Sequence, residues 1–190
     1  MNALVDELHQ LRWEVDDLSY HQMRVLLLVA AVSAEPGHSR KLDGLTKLAK
    51  LDFFVRYPAL ASMLLDDLGA DDRMHIGEVD RLAPTLVQDP MTRYKYGPWD
   101  DRYYPVIGAL VSRGLLRYAK GRRGSVALTP TAAGKALAAD VATDEVWRKV
   151  ADRCEAVAGA SRGMTGNALK ELIYDRLADL MDRPHRTVIS

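Results

Sequence analysis

Five histidines, one cysteine and a pair of adjacent aspartates are the residues of this chain whose types could do chemistry. His9, His21, His38, His75 and His185 are scattered, and no two stand at metal-ligand spacing. Cys154 is alone, so a zinc site would have to borrow distant carboxylates, and no motif points to one. The glycines of Gly121-Arg-Arg-Gly124 are not followed by the lysine-serine or lysine-threonine pair of a phosphate-binding loop. No serine or cysteine occupies a nucleophile elbow. Asp100 and Asp101 would need to converge on one substrate atom, yet neighbours on a helix point about 100° apart. They suit a helix start, near the positive end of its dipole. The expectation is a non-enzyme without catalytic residues, metal or cofactor.

Residues 93–134 carry more information. A helix with Val106, Ile107, Leu110 and Val111 on one face stops at Gly114, where a C-terminus favours positive φ. Strands are expected at 115–119 and 125–128, joined by the turn Lys120-Gly-Arg-Arg-Gly124. Thr129 then reads as an N-cap, with Pro130 in the first turn of the next helix. Helix, basic hairpin, helix is the pattern of a winged helix. Lys120, Arg122 and Arg123 could reach a DNA backbone or minor groove without reading sequence, or could simply be solvated.

The remaining elements follow from apolar spacing. Leu4, Leu8, Leu11, Val15 and Leu18 form a two-heptad seam on a helix over residues 1–20. Two heptads are too few for a stable free coiled coil, so the seam packs on the protein's own body, on a second copy or on another protein. Residues 21–34 read as a core helix. A helix from about 42 ends before Pro58, which pushes Tyr57 out of helical geometry. Another helix covers 58–68, and a short one lies near 76–82 in an acidic insertion, 58–97. Helices at 131–141, 144–158 and 167–181 and an extended tail over 184–190 complete the chain. The fold class is therefore mainly α with a small β-hairpin: a winged-helix-like core over 21–141, an N-terminal helix, and a C-terminal helical segment over 142–190.

With 190 residues the chain can bury a sizeable core, and its net charge is zero. The longest apolar run, 25–32, is far short of the roughly 20 residues that span a bilayer, so no membrane partner is expected. The first ten residues are acidic where a signal peptide is basic, and the lone cysteine fits a reducing cytoplasm. Charge is uneven: 93–123 is basic and 66–89 acidic. These segments could pair with each other, remain solvated, or leave the basic one to meet a polyanion. Asp100 and Asp101 begin the helix that would enter a major groove, where carboxylates repel phosphates. Tyr94, Tyr96, Trp99, Tyr103 and Tyr104 suit a structural plug, a protein interface or a DNA contact.

Three blocks, DGLTKLAKLDFFVRYP (43–58), RYKYGPWDDRYY (93–104) and LKELIY (169–174), carry a family likeness. With the wing, they resemble the middle component of bacterial three-component ABC-ATPase systems, a group that includes the small subunit of Lamassu-type antiviral defence. The resemblance covers residues 23–174. It implies an adaptor that bridges an SMC- or Rad50-like ABC ATPase to an effector subunit such as a nuclease. Its shared positions would be Lys47, Lys50, Asp52, Arg56, Arg93, Tyr96, Trp99, Asp100 and Arg102. Asp52 and Arg56, at i and i+4, can pair with each other or with Arg102 and Asp100, locking the insertion onto the first helices. The alternative is a free-standing winged-helix DNA-binding transcriptional regulator, a homodimer through the seam.

Overall fold

An apolar run with no polar face has to sit in the centre of a fold. In the computed structural model of the chain, which describes residues 18–85, 87 and 89–189, helix α1 (Leu18–Ala34) does so. Val25, Leu26, Leu28, Val29 and Val32 are fully buried. A short strand β1 (Leu42–Asp43) and helix α2 (Leu45–Arg56) follow. Next come α3 (Pro58–Leu64), α4 (Asp66–Gly69) and α5 (Glu78–Leu82) in the insertion. A hairpin of β2 (Thr92–Tyr94) and β3 (Gly97–Trp99) leads to α6 (Tyr103–Ser112). Strands β4 (Leu116–Lys120) and β5 (Val126–Pro130) precede α7 (Ala132–Val141), α8 (Glu145–Ala160), α9 (Gly166–Arg176) and α10 (Ala178–Met181). The protein is mainly helical with a small antiparallel sheet of order β1-β5-β4, in which Leu128 stands opposite both Leu42 and Tyr118.

The structure departs from the sequence expectations in several places. A second hairpin, β2–β3, and the strand β1 exist where none was expected, because two or three residues are too few for a period to show. The tail extends the second hairpin: Thr92 bridges Val188, Arg93 N–H donates to the Thr187 carbonyl, and Ile189 is buried. Thr129 and Pro130 do not start a helix. They finish β5, and Thr131 caps α7 by accepting from the Gly134 N–H at 3.0 Å. Pro130 is tolerated because β1 pairs only with residues 127 and 128, so no strand needs its missing N–H on that side. The helices expected over 58–68 and 167–181 each break, at Leu65 and Leu177, with no proline or glycine to mark the break.

Residues of the C-terminal segment join the central core: Cys154, Val157, Leu169 and Ile173 belong to the same apolar cluster as Val25, Leu48 and Phe54. Of the N-terminal seam, Leu4, Leu8, Leu11 and Val15 lie outside the described residues, and Leu18 is 40 % exposed. Among the described residues no helix is long and apolar enough to cross a membrane.

Candidate functional site

Arg24 is the only Lys, Arg, Asp or Glu in α1, and it is buried among leucines and valines. A buried guanidinium needs a carboxylate. α2 supplies Asp52, which is 0 % exposed and accepts from Arg24 Nε at 2.8 Å. One turn on, Arg56 donates through Nη2 to Asp52 and to Asp100, both at 2.7 Å. Asp89, from the insertion, accepts from Arg24 Nη1 at 2.9 Å and from Arg102 Nη2 at 2.6 Å. Arg102 Nε donates to Asp100 at 2.8 Å, and the Tyr103 hydroxyl donates to Asp52 at 2.7 Å. Three arginines thus face three aspartates from α1, α2, the insertion and the start of α6. The network ties the insertion to the central helices.

Its electrostatics follow from that balance. Burial pushes the Asp52 carboxyl up, but the charges of Arg24 and Arg56 outweigh burial and hold it well below the usual range. Burial likewise opposes the hydrogen bond from His21 and the charges of Arg56 and Arg24 at Asp89, and again the carboxyl ends low. Asp100 is lowered too, with burial opposed by the Arg102 hydrogen bond and the Arg56 charge. A carboxylate depressed on folding contributes stability that is full above its unfolded pKa, about 3.9, and is lost as pH falls through the folded value. The unfolding free energy from urea titrations is therefore expected to hold from pH 7 to about 5 and to fall steeply below about 4. Asp52→Asn should make that fall shallower.

His21, Asp89 and Asp100 place ligand-type atoms within 4.8 Å of one another. Their oxygens already accept from Arg24, Arg56 and Arg102, and Arg102 Nη1 lies 2.6 Å from His21 Nε2. A cation there would have to displace fixed positive charges, so the arrangement does the work of a clamp.

The other predicted site residues fall in three further places. Lys47 Nζ donates to His38 Nδ1 at 2.9 Å, and His38 Nε2 donates to the Ala158 carbonyl at 2.8 Å, a relay that pins α2 to the end of α8. Burial pushes both Lys47 and His38 down. Arg93 Nε donates to the Met181 carbonyl at 2.8 Å, fixing α10 beneath the tail. Lys50, Tyr96 and Trp99 come together around a pocket of about 260 Å³ between the start of α2 and the β2–β3 hairpin. The tyrosine cluster is divided: Tyr103 is buried and Trp99 half-buried, whereas Tyr94, Tyr96 and Tyr104 are exposed. Trp99 joins the two parts, with Tyr94 and Tyr104 rings each 6.1 Å from its own.

Lys120, Arg122 and Arg123 are exposed at the tip of the β4–β5 hairpin. The tip is braced from below by Asp43, which accepts from the Arg122 N–H at 3.0 Å and from Ser125 Oγ at 3.0 Å. On α6 the solvent-facing positions are Tyr104, Pro105, Gly108 and Ser112, a surface with little to read base edges.

Sequence reasoning missed His21, Arg24 and Asp89. Arg24 had a signal, a lone cation in an apolar helix. Asp89 had none, since nothing local distinguishes it from its acidic neighbours. Comparison with known proteins finds no family model, curated relative or solved structure that matches the chain.

Proposed function

We propose that the chain is a non-catalytic adaptor subunit of an SMC-like ABC-ATPase antiviral complex, joining the ATPase to an effector. The observation that supports this most is the fate of the polar motif residues. Asp52, Arg56, Asp100 and Arg102 neutralise one another in the interior, and Cys154 is buried with its thiol pushed up, chiefly by burial. Aromatic and apolar side chains, by contrast, are left facing solvent beside the basic tip: Tyr104 is 63 % exposed, and Tyr118 and Val126 stand exposed on the β4–β5 hairpin. Tyrosines with arginines at the rim are the composition of protein interfaces.

The winged-helix reading rests on the order α1, β1, α2, α6, β4, β5, with β1 as third strand. The second reading, a transcriptional regulator, draws on that order and on the basic hairpin tip. The uncharged outer face of α6 favours docking over sequence-specific DNA reading, leaving the tip a sequence-independent contact whose strength falls with salt.

The test is capture of a long coiled-coil ATPase encoded beside this chain. Tyr118→Asp with Val126→Asp is expected to weaken capture by at least about tenfold, as loss of interface hot spots does. Arg122→Ala with Arg123→Ala should leave capture intact and remove only salt-sensitive DNA binding. No capture by the unmodified protein, together with a discrete operator footprint, would establish the regulator instead.

A further inference from the structure

Every buried charge described above has a partner except one. Lys50 is 1 % exposed, yet no described residue gives its ammonium a carboxylate or a hydrogen bond. The charge that acts on it is a second cation, Lys170 of α9. The side chain is enclosed while its ammonium opens onto a pocket; desolvation there opposes folding, and an anion in the pocket would offset it.

Its surroundings are built for one. The 12-residue helix α2 begins at Leu45 and Thr46, which line the same pocket as Lys50. Its N-cap is Gly44, so no side chain caps the first-turn N–H groups. Helical side chains lean toward the N-terminus, which brings the Lys50 ammonium back over that turn. Gly97, at φ +101°, borders the ammonium: a Cβ there would stand 3.3 Å from Lys50 Nζ and Cε. Among the described residues no aspartate or glutamate lines the pocket. Lys95 and Lys170 lie over the ring of Tyr96, which lines the pocket, at 5.4 and 5.6 Å.

An uncapped helix start and a lysine converge on phosphate chemistry. The exposed Tyr94 and Tyr96 rings accept a planar base, as aromatic platforms do in nucleic-acid proteins, once the two lysines over Tyr96 swing aside. The volume, about 260 Å³, is below that of drug-sized ligand sites, roughly 300–1,000 Å³, and admits a single ring-and-anion unit. We propose that this pocket binds a nucleoside phosphate, with the phosphate on Lys50 and the α2 N-terminus and the base against Tyr94 and Tyr96. The ligand is either a free mononucleotide or the 5′-phosphorylated end of a single strand. The proposal does not depend on the adaptor reading.

Calorimetric titration of the full chain tests it with adenosine monophosphate, adenosine, inorganic phosphate, 5′-phosphorylated and 5′-hydroxyl oligothymidylate, and a glutamate-rich peptide. Adenosine monophosphate is expected to bind at least about tenfold more tightly than adenosine or phosphate alone, since both halves contribute. Lys50→Met should weaken it about 10- to 100-fold, the share of a charge-assisted hydrogen bond. Tyr96→Ala, at an exposed position, should weaken it about 5- to 100-fold. Tighter binding of the 5′-phosphorylated strand than of the mononucleotide, with none of the 5′-hydroxyl strand, identifies a strand end as the source. Unchanged affinity in Lys50→Met, phosphate binding as tightly as the nucleotide, or binding of the acidic peptide alone would each overturn the proposal.

Discussion

Replacing Asp52 by alanine is expected to lower the unfolding free energy by about 3–5 kcal/mol, read as a shift in the urea midpoint. Asp52 accepts from Arg24, Arg56 and Tyr103 at once and is wholly buried. Its removal leaves two guanidiniums inside the protein with one carboxylate fewer between them. The loss is a large fraction of the about 5–15 kcal/mol that holds a domain together. Asp101→Ala, at the exposed neighbour of Asp100, should stay within about 0.5 kcal/mol. A simultaneous change of Arg24 to Met and Asp52 to Leu leaves Arg56 and Arg102 facing Asp89 and Asp100, and should recover part of the loss. Well-packed apolar groups often match or exceed a buried ion network in stability. If Asp52→Ala alone is as stable as the unmodified protein, the network does not hold the insertion.

That network was half legible beforehand. Asp52 and Arg56 sit four residues apart, so local geometry already allowed their pair. Asp100 and Arg102 could be set against them because both stretches are charged where packing alone would not select charge. Asp89 could not be found, since its partners lie 65 and 13 residues away and no periodicity connects them. The same contrast runs through the fold. Gly114 at the end of α6 has φ +70°, and Asp144 accepts from the Val146 N–H at the start of α8, both single-residue features readable in place. Thr131 rather than Thr129 capping α7 is decided by how far β5 runs beside β4, which is a tertiary matter. Strands of two or three residues are held by their neighbours, so their own residues announce nothing.

The network and the pocket are also mechanically joined. Asp100 and Arg102 follow directly on β3, so the same contacts that anchor the insertion fix the hairpin whose Gly97 and Trp99 border Lys50. Loosening the network should therefore spread the pocket, whereas changing the pocket leaves the network in place. The two sites can be altered separately in only one direction.

Lys50→Met is accordingly the cleaner experiment, and its expected effect has the opposite sign to most core substitutions. Burial first, and Lys170 second, bring the Lys50 pKa down from 10.5 to about 8. A drop of that size corresponds to a penalty of about 3 kcal/mol on the folded state at pH 7. Methionine keeps the stem's volume without the charge, so the variant should be more stable by about that amount. The sign can be followed with pH. Below about 8 the lysine is charged folded and unfolded, and the penalty is complete. Between about 8 and 10.5 the unfolded chain still holds the proton that the folded one has released, so the unmodified protein gains stability as pH rises. Among the described residues the titratable groups around Lys50 are Lys170 and Tyr174 from α9, Tyr94 and Tyr96 from the hairpin and Tyr104 from α6, none of them a carboxylate. The advantage of Lys50→Met in urea titrations should thus shrink across that window and close near its upper end. An equal advantage at pH 7 and pH 10.5 would mean that packing, not charge, is responsible. A less stable variant would mean that the ammonium already has its counter-charge within the fold. A residue that weakens the empty protein by this much and strengthens it only when an anion arrives is what a binding site requires: the same desolvation that opposes folding sharpens the attraction for a ligand phosphate.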